Sequence, residues 1–293
     1  TDVAVEDRRG FQNFVGDGDR RVLGVTGALR RDERNRVRTR DVYAEGRIDV
    51  AAAWSATLGA RSGRVEFRSD DRYVVAGASP GDPPRNPDDS GRLAMRYTNP
   101  VAALQWRVAP ALHVHVSAAR GFESPTLTEL AYRSDGRGGL NDALKPQTSR
   151  QWELGAKWRP RGAAVDVALF DARTDDEIAV ASSSGGRTVF RNVGRTKRRG
   201  AELDLRWPVA PHWRAQLAAS WLDATYRDDS LVPAGNRIAG TLQRWGYAEL
   251  AWLPAPRVEL AVEGRAQGNV PVDDANSDFA AGHALLALRA QWR

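Results

Sequence analysis

The chain has 293 residues, 42% of them hydrophobic, enough for one large or two ordinary domains. Mean hydropathy is −0.51 and no window nears the roughly 18 to 20 consecutive apolar residues of a membrane-spanning helix, which excludes a helical membrane protein but not a β-barrel, whose strands alternate apolar and polar positions. The net charge of +6 rests on arginine, since Lys145, Lys157 and Lys197 are the only lysines among 43 basic residues, and the interleaving of these arginines with acids, without a basic tract, argues against nucleic acid as a partner.

Period-2 alternation predicts strands over 1–7 (a stub), 37–50, 54–69, 92–107, 111–121, 149–159, 163–179, 188–207, 212–227, 241–253, 257–267 and 282–293. In the strand at 149–159, Trp152, Leu154, Ala156 and Trp158 oppose Gln151, Glu153, Gly155, Lys157 and Arg159. In 188–207, Ala201, Leu203, Leu205 and Trp207 oppose Glu202, Asp204 and Arg206; in 257–267, Val258, Leu260 and Val262 oppose Glu259, Ala261 and Glu263. Each strand therefore has one strongly polar face.

The connections alternate as well. Tight turns are expected near 51–54, 109–110, 160–162, 208–211 and 254–256, where Pro and small residues suit them. Between them lie long polar segments at about 8–36, 70–90, 122–148, 181–190, 228–240 and 268–281. The chain thus runs up and down with short turns at one end and long loops at the other, the pattern of an outer-membrane barrel. Trp54, Trp106, Trp158, Trp207, Trp213 and Trp252 gather near the tight turns, where amphipathic rings would meet lipid headgroups. A soluble sandwich or propeller would instead stack the apolar faces on a second sheet; strands of 11 or more residues, against the usual five or six, and Trp at one end favour the membrane barrel.

Chemistry-bearing residues are sparse. There is no cysteine, no nucleophile elbow and no phosphate-binding loop. His113 and His115 share a strand face, but two histidines without a nearby carboxylate make a poor metal site, and both read as lumen residues. No enzymatic activity and no cofactor are expected. The N-terminus carries no signal-peptide pattern, and the chain reads as beginning in the middle of something larger.

Gly121-Phe122-Glu123-Ser124-Pro125-Thr126-Leu127-Thr128-Glu129-Leu130, then Gly138-Gly139-Leu140-Asn141 and Leu144-Lys145-Pro146-Gln147-Thr148-Ser149, resemble TonB-dependent outer-membrane receptors. Trp152 to Lys157, Asn192 to Thr196, Gly200 to Leu203 and Asp273 to Ser277 extend the resemblance across nearly the whole chain. It implies an all-β, transmembrane, antiparallel up-and-down barrel, of which residues 1–293 would be the C-terminal part, about strands 11 to 22 of the 22 such barrels have, in the outer membrane of a Gram-negative cell. The plug domain of the family, and with it the contact to the TonB complex, is expected to be missing, and the chain ends at Trp292-Arg293 in place of the family's usual terminal aromatic.

The loop from Ala181 to Arg187 is most similar to ferric citrate and ferric siderophore receptors. The implied partners are such a chelate, outer-membrane lipid and lipopolysaccharide. A bulky anionic chelate calls for cationic donors and aromatic surfaces on the loops, which singles out Tyr73, Tyr132, Arg133, Arg137, Arg187 and Arg191. Another outer-membrane barrel, a porin or a copper or cobalamin receptor, remains the alternative, with a soluble propeller behind it.

Overall fold

In the computed structural model, which describes residues 1–292 except 18, 19, 80, 83, 185, 186, 229 and 230, the chain forms eighteen strands and one short helix. Twelve strands join in one sheet: β1 (Asp2–Phe11), β4 (Leu29–Ala51), β5 (Trp54–Asp71), β6 (Gly91–Ala109), β7 (Leu112–Glu123), β8 (Gln147–Trp158), β9 (Ala164–Asp175), β12 (Arg195–Ala210), β13 (Trp213–Asp228), β14 (Arg244–Ala255), β15 (Val258–Gln267) and β18 (His283–Trp292). Every neighbour is antiparallel and follows in chain order, so the sheet is an up-and-down meander. Two-residue turns close four hairpins, across Ala51↔Trp54, Ala109↔Leu112, Ala210↔Trp213 and Ala255↔Val258. His212, in one of them, takes a left-handed φ of 68°, the backbone that such tight hairpins demand.

Four of the expected strands change. The stub at 1–7 is a ten-residue strand, and the strand expected at 37–50 begins at Leu29. The expected strands 163–179 and 188–207 are each two elements: β9 and β12 belong to the sheet, while β10 (Ile178–Ser184) and β11 (Arg187–Asn192) form a separate hairpin above it. Short hairpins also occupy two other long loops, as β2 (Phe14–Asp17) with β3 (Arg20–Leu23) and β16 (Val270–Pro271) with β17 (Phe279–Ala280). Gly185 and Gly186, within the loop likened to ferric citrate receptors, and the terminal Arg293 lie outside the described residues.

Register fixes which side chains share a face, because opposite partners point the same way. Leu260, Val262, Leu286, Leu288 and Trp292 lie together on one side; Val262 is opposite Leu288, which is 81% exposed. The other side of the same strands carries Arg289, which holds Glu249 (2.9 Å), Glu259 (2.7 Å) and Glu263 (2.7 Å). Farther along the polar side, Arg61 pairs with Asp41 at 2.7 Å, and His115 meets Glu153 at 3.0 Å. The carboxylate that the histidines were expected to lack is therefore present, on the neighbouring strand. No group of three or more metal-ligating side chains forms among the described residues.

This is the reverse of a soluble sheet. Among the described residues the apolar face packs on no second sheet and no helix, and Val42, Leu58, Leu154, Leu169, Leu250 and Val262 all stand exposed on it. The six tryptophans sit on that face at the turn end. Trp54 and Trp106, and Trp213 and Trp252, are directly opposed across neighbouring strands with ring centroids 5.2 Å and 5.9 Å apart, while Trp158 and Trp207 meet over the intervening β9 at 5.7 Å. Such a face is stable only against hydrocarbon. Leu154 lies midway between Trp158 and the first outward arginine of its strand, Arg150. In the full-length receptor, Leu154→Arg should lower stability by about 2–4 kcal/mol, the cost of arginine on a lipid face near the bilayer midplane. Denaturant titration in phospholipid vesicles measures it, and a change below about 0.5 kcal/mol would place this face in water.

Candidate functional site

The long loop between β7 and β8 folds back into the mouth of the sheet instead of standing in solvent. Its helix α1 (Leu127–Leu130) starts at Thr126, whose hydroxyl accepts the Glu129 N–H at 3.3 Å while the Glu129 carboxylate accepts the Thr126 N–H at 2.7 Å. That reciprocal cap fixes a helix far too short to hold by itself. Leu130, Leu140 and Leu144 then bury against Val65, Phe67 and Met95, on the inner faces of β5 and β6, and Tyr97 stacks on Phe122 with centroids 4.7 Å apart. At Gly138 a Cβ would lie 2.5 Å from the Asp88 carbonyl oxygen, so the loop approaches its neighbour as closely as only glycine allows.

Where this loop, the β5–β6 loop, β10–β11 and the upper ends of β1 and β4 converge, they enclose an open cleft of about 370 Å³. Six arginines line it, Arg8, Arg30, Arg31, Arg133, Arg137 and Arg187, against the carboxylates of Glu33, Asp71 and Asp89. Tyr132 is the aromatic centre, with the Arg31 guanidinium 4.8 Å from its ring centroid and that of Arg187 at 5.4 Å. Arg31 is the buried member, its side chain 12% exposed. Its Nε holds Glu33 at 2.8 Å, while its Nη1 has no hydrogen-bond partner among the described residues. A buried guanidinium nitrogen left unpaired costs free energy that an anion in the cleft would recover. Burial, with Asp71 close by, pushes the Asp89 carboxyl up from its ordinary range, although the Gly139 N–H donates to it.

Of the six side chains singled out by sequence, Tyr132, Arg133, Arg137 and Arg187 meet in this cleft. Tyr73 and Arg191 do not line it. Tyr73 is held through its main chain, donating to Asp71 at 2.9 Å and accepting from Asn86, and Arg191 lies on β11 with Nη1 donating to the Asn192 carbonyl at 3.4 Å. Arg133 differs from the expectation in role: it binds Asp135 (3.0 Å), Asp142 (2.5 Å) and the Leu140 carbonyl (3.3 Å), so it ties the loop together. Arg137, by contrast, is 81% exposed and its nearest carboxylate oxygen is 3.9 Å away. Sequence reading missed Arg8, Arg30 and Arg31 because they fall in a stretch taken for loop, where in fact β1 continues through Arg8 and β4 begins ahead of Arg30 and Arg31.

A pH dependence follows from the tie. The Arg133 side chain and then the Arg137 N–H donate to Asp135, which holds its carboxyl down at about 2 against the ordinary 3.8. A depressed acid stabilises the folded loop fully above its unfolded value and loses that contribution as pH falls through the folded one. Amide exchange across 133–142 should therefore be slow and constant down to about pH 4 and rise between about 4 and 2. Protection that fades at neutral pH would show that the ion pair does not order the loop.

Comparison with known proteins agrees with this geometry. Residues 4–293 match the family described as TonB dependent receptor-like, beta-barrel. The fold is similar to the ferric-catecholate import receptor Fiu of E. coli K12, with a TM-score of 0.71 at 17% identity over 91% of this chain and 40% of that one. The ferrioxamine B receptor of Salmonella typhimurium is 23% identical over 70% of this chain and 26% of its own length. The vitamin B12 transporter BtuB of Vibrio vulnificus is 28% identical over 42% of this chain and 20% of its own length. The chain thus spans well under half the length of these relatives. Its members are receptors and transporters, not enzymes, and the chain belongs to the β-barrel family of the TonB-dependent receptors of the Gram-negative outer membrane.

Proposed function

We propose that residues 1–293 are the C-terminal barrel portion of a receptor that captures a ferric siderophore or similar anionic iron chelate at the cell surface. On this reading the plug domain lies outside these residues, and the intact receptor couples to the TonB complex through it. The single observation that carries the ligand class is the cleft at the mouth, where Arg31 has an unpaired buried nitrogen and Tyr132 offers an aromatic face beside Arg187. Arginine is suited to carboxylate and other planar oxygen donors because its N–H fork grips them two at a time. The likeness to Fiu, a ferric-catecholate import receptor, and to the ferrioxamine B receptor supports iron over other cargo. A cobalamin receptor is the runner-up, on the likeness to BtuB, with a copper receptor beside it on the fold's similarity to the copper transporter OprC. The outward apolar face contacts outer-membrane lipid, including lipopolysaccharide in the outer leaflet.

The test is a titration of the full-length receptor with ferric citrate, ferrioxamine B, a ferric catecholate and cyanocobalamin, followed by protein fluorescence. One of the ferric chelates should bind, and Arg31→Ala, Arg137→Ala and Arg187→Ala should each weaken it by about tenfold or more, the worth of a hydrogen bond to a charged group. Arg133→Ala should also weaken it, through loss of loop order. Binding of cyanocobalamin alone would overturn the ligand class, and unchanged affinity in all three cleft variants would remove the cleft.

A further inference from the structure

The three carboxylates among the arginines of the cleft are held in unequal ways. Glu33 is directly opposite Arg8 across β1 and β4 and takes the Arg31 Nε at 2.8 Å, so cations flank it on two sides. Asp71, directly opposite Glu33 across β4 and β5, accepts a main-chain N–H on each oxygen, from Tyr73 at 2.9 Å and from Asp89 at 3.1 Å. The Asp89 carboxylate accepts only the Gly139 N–H, at 3.3 Å, and forms no ion pair among the described residues. Around it stand Asp71 from β5, Arg30, Arg31 and Glu33 from β4, Arg8 from β1, Arg187 from β11, and Tyr132 and Arg137 from the β7–β8 loop. Two further charges nearby are engaged elsewhere: Asp88 accepts the Ser90 N–H at 2.8 Å, and Arg133 holds Asp135 and Asp142.

An anion seated on Arg31 Nη1 and Arg187 alters this balance from both directions. It neutralises two positive fields that favour an ionised Asp89, and it brings negative charge toward that carboxylate. A neutral Asp89 would repel nothing and would offer the bound oxygens an O–H donor. The anion therefore binds the protonated cleft more tightly, and by linkage its arrival raises the proton affinity of Asp89 by the same factor. Burial and the Asp71 charge already hold the Asp89 carboxyl above its ordinary 3.8, against the Gly139 N–H and the fields of Arg31 and Arg187.

We propose that the cleft takes up its anionic ligand together with a proton from solvent, that Asp89 receives this proton, and that Asp89 thereby ranks ligands by their charge. A trianion gains most when Asp89 is neutral, and an uncharged or cationic chelate gains nothing. Anion affinity is weakest where Asp89 is ionised and rises as pH falls through its titration. The inference rests on the anion-binding reading of the cleft and adds to it the residue that sets selectivity.

The experiment is calorimetry on the full-length receptor in detergent, run in pairs of buffers that differ in heat of ionisation. The probe is hexacyanocobaltate(III), a compact, redox-inert trianion whose own charge does not change with pH in this range. Between about pH 7.5 and about pH 5 its affinity should rise about tenfold, the effect of one unit charge across a partly buried cleft, with uptake approaching one proton. The tie at Asp135 is intact throughout that range, so the loop stays ordered. Asp89→Asn should bind at about pH 7.5 as tightly as the unaltered protein does at about pH 5, with no pH dependence and no proton uptake. Absence of proton uptake by the unaltered protein would overturn the proposal, with no variant needed. So would a pH slope that survives in Asp89→Asn while amide exchange across 133–142 stays as slow as in the unaltered protein. Failure of hexacyanocobaltate to bind at either pH, while a ferric chelate binds, would sink the role of Asp89 and leave the cargo standing. Proton-linked binding of hexacyanocobaltate with no ferric chelate bound would count against the cargo and uphold the role of Asp89.

Discussion

In hydrocarbon a backbone N–H or C=O has no water to turn to, so a chain without apolar helices can cross a bilayer only by pairing each strand with a neighbour on both sides. That constraint gives this molecule its shape. Twelve strands follow one another in a single antiparallel sheet, and their side chains are sorted between two different solvents. The lipid side takes Val, Leu and Trp; the inner side takes the charges, which must then be matched to each other. The cluster of Arg289 with Glu249, Glu259 and Glu263, and the pairs Arg61–Asp41 and His115–Glu153, are the result.

Outside the bilayer the constraint lapses, and the mouth is organised by different forces. There the β7–β8 loop buries three leucines against the inner faces of β5 and β6 and ties itself with Arg133. The β13–β14 and β15–β18 loops hold each other more simply, through hydrogen bonds between Asn236 and the Asp274 carbonyl (3.0 Å) and between Arg237 and Asn276 (2.7 Å). Ordered loops of this kind present a preformed cleft, which reduces the entropy a ligand must overcome on binding.

What was legible in the sequence follows the same division. Where a strand crosses the membrane, its two faces meet opposite environments, so alternation is sharp and all twelve sheet strands could be read. Above the membrane both faces are polar. The first half of β4, from Leu29 through Arg36, reads as a run of charges, and its strand character was invisible for that reason. The same blindness hid Arg30 and Arg31. Between β11 and β12 only Val193 and Gly194 interrupt the pairing, too short a break to separate two strands by composition. Loop position was enough to select Tyr132, Arg133, Arg137 and Arg187, but not to tell a ligand-facing arginine from one tied to Asp135 and Asp142, because that depends on how the loop folds back.

The central claim is that one face of each strand touches lipid and the other a polar interior. The direct measurement is a scan of single spin labels at positions 151 through 157 of β8 in the bilayer-embedded receptor, with collision rates taken against oxygen, which partitions into lipid, and a water-soluble nickel chelate. The labels at 152, 154 and 156 should favour oxygen and those at 151, 153, 155 and 157 should not, in strict alternation. A scan with no two-residue period, or with the phase reversed, would contradict the account.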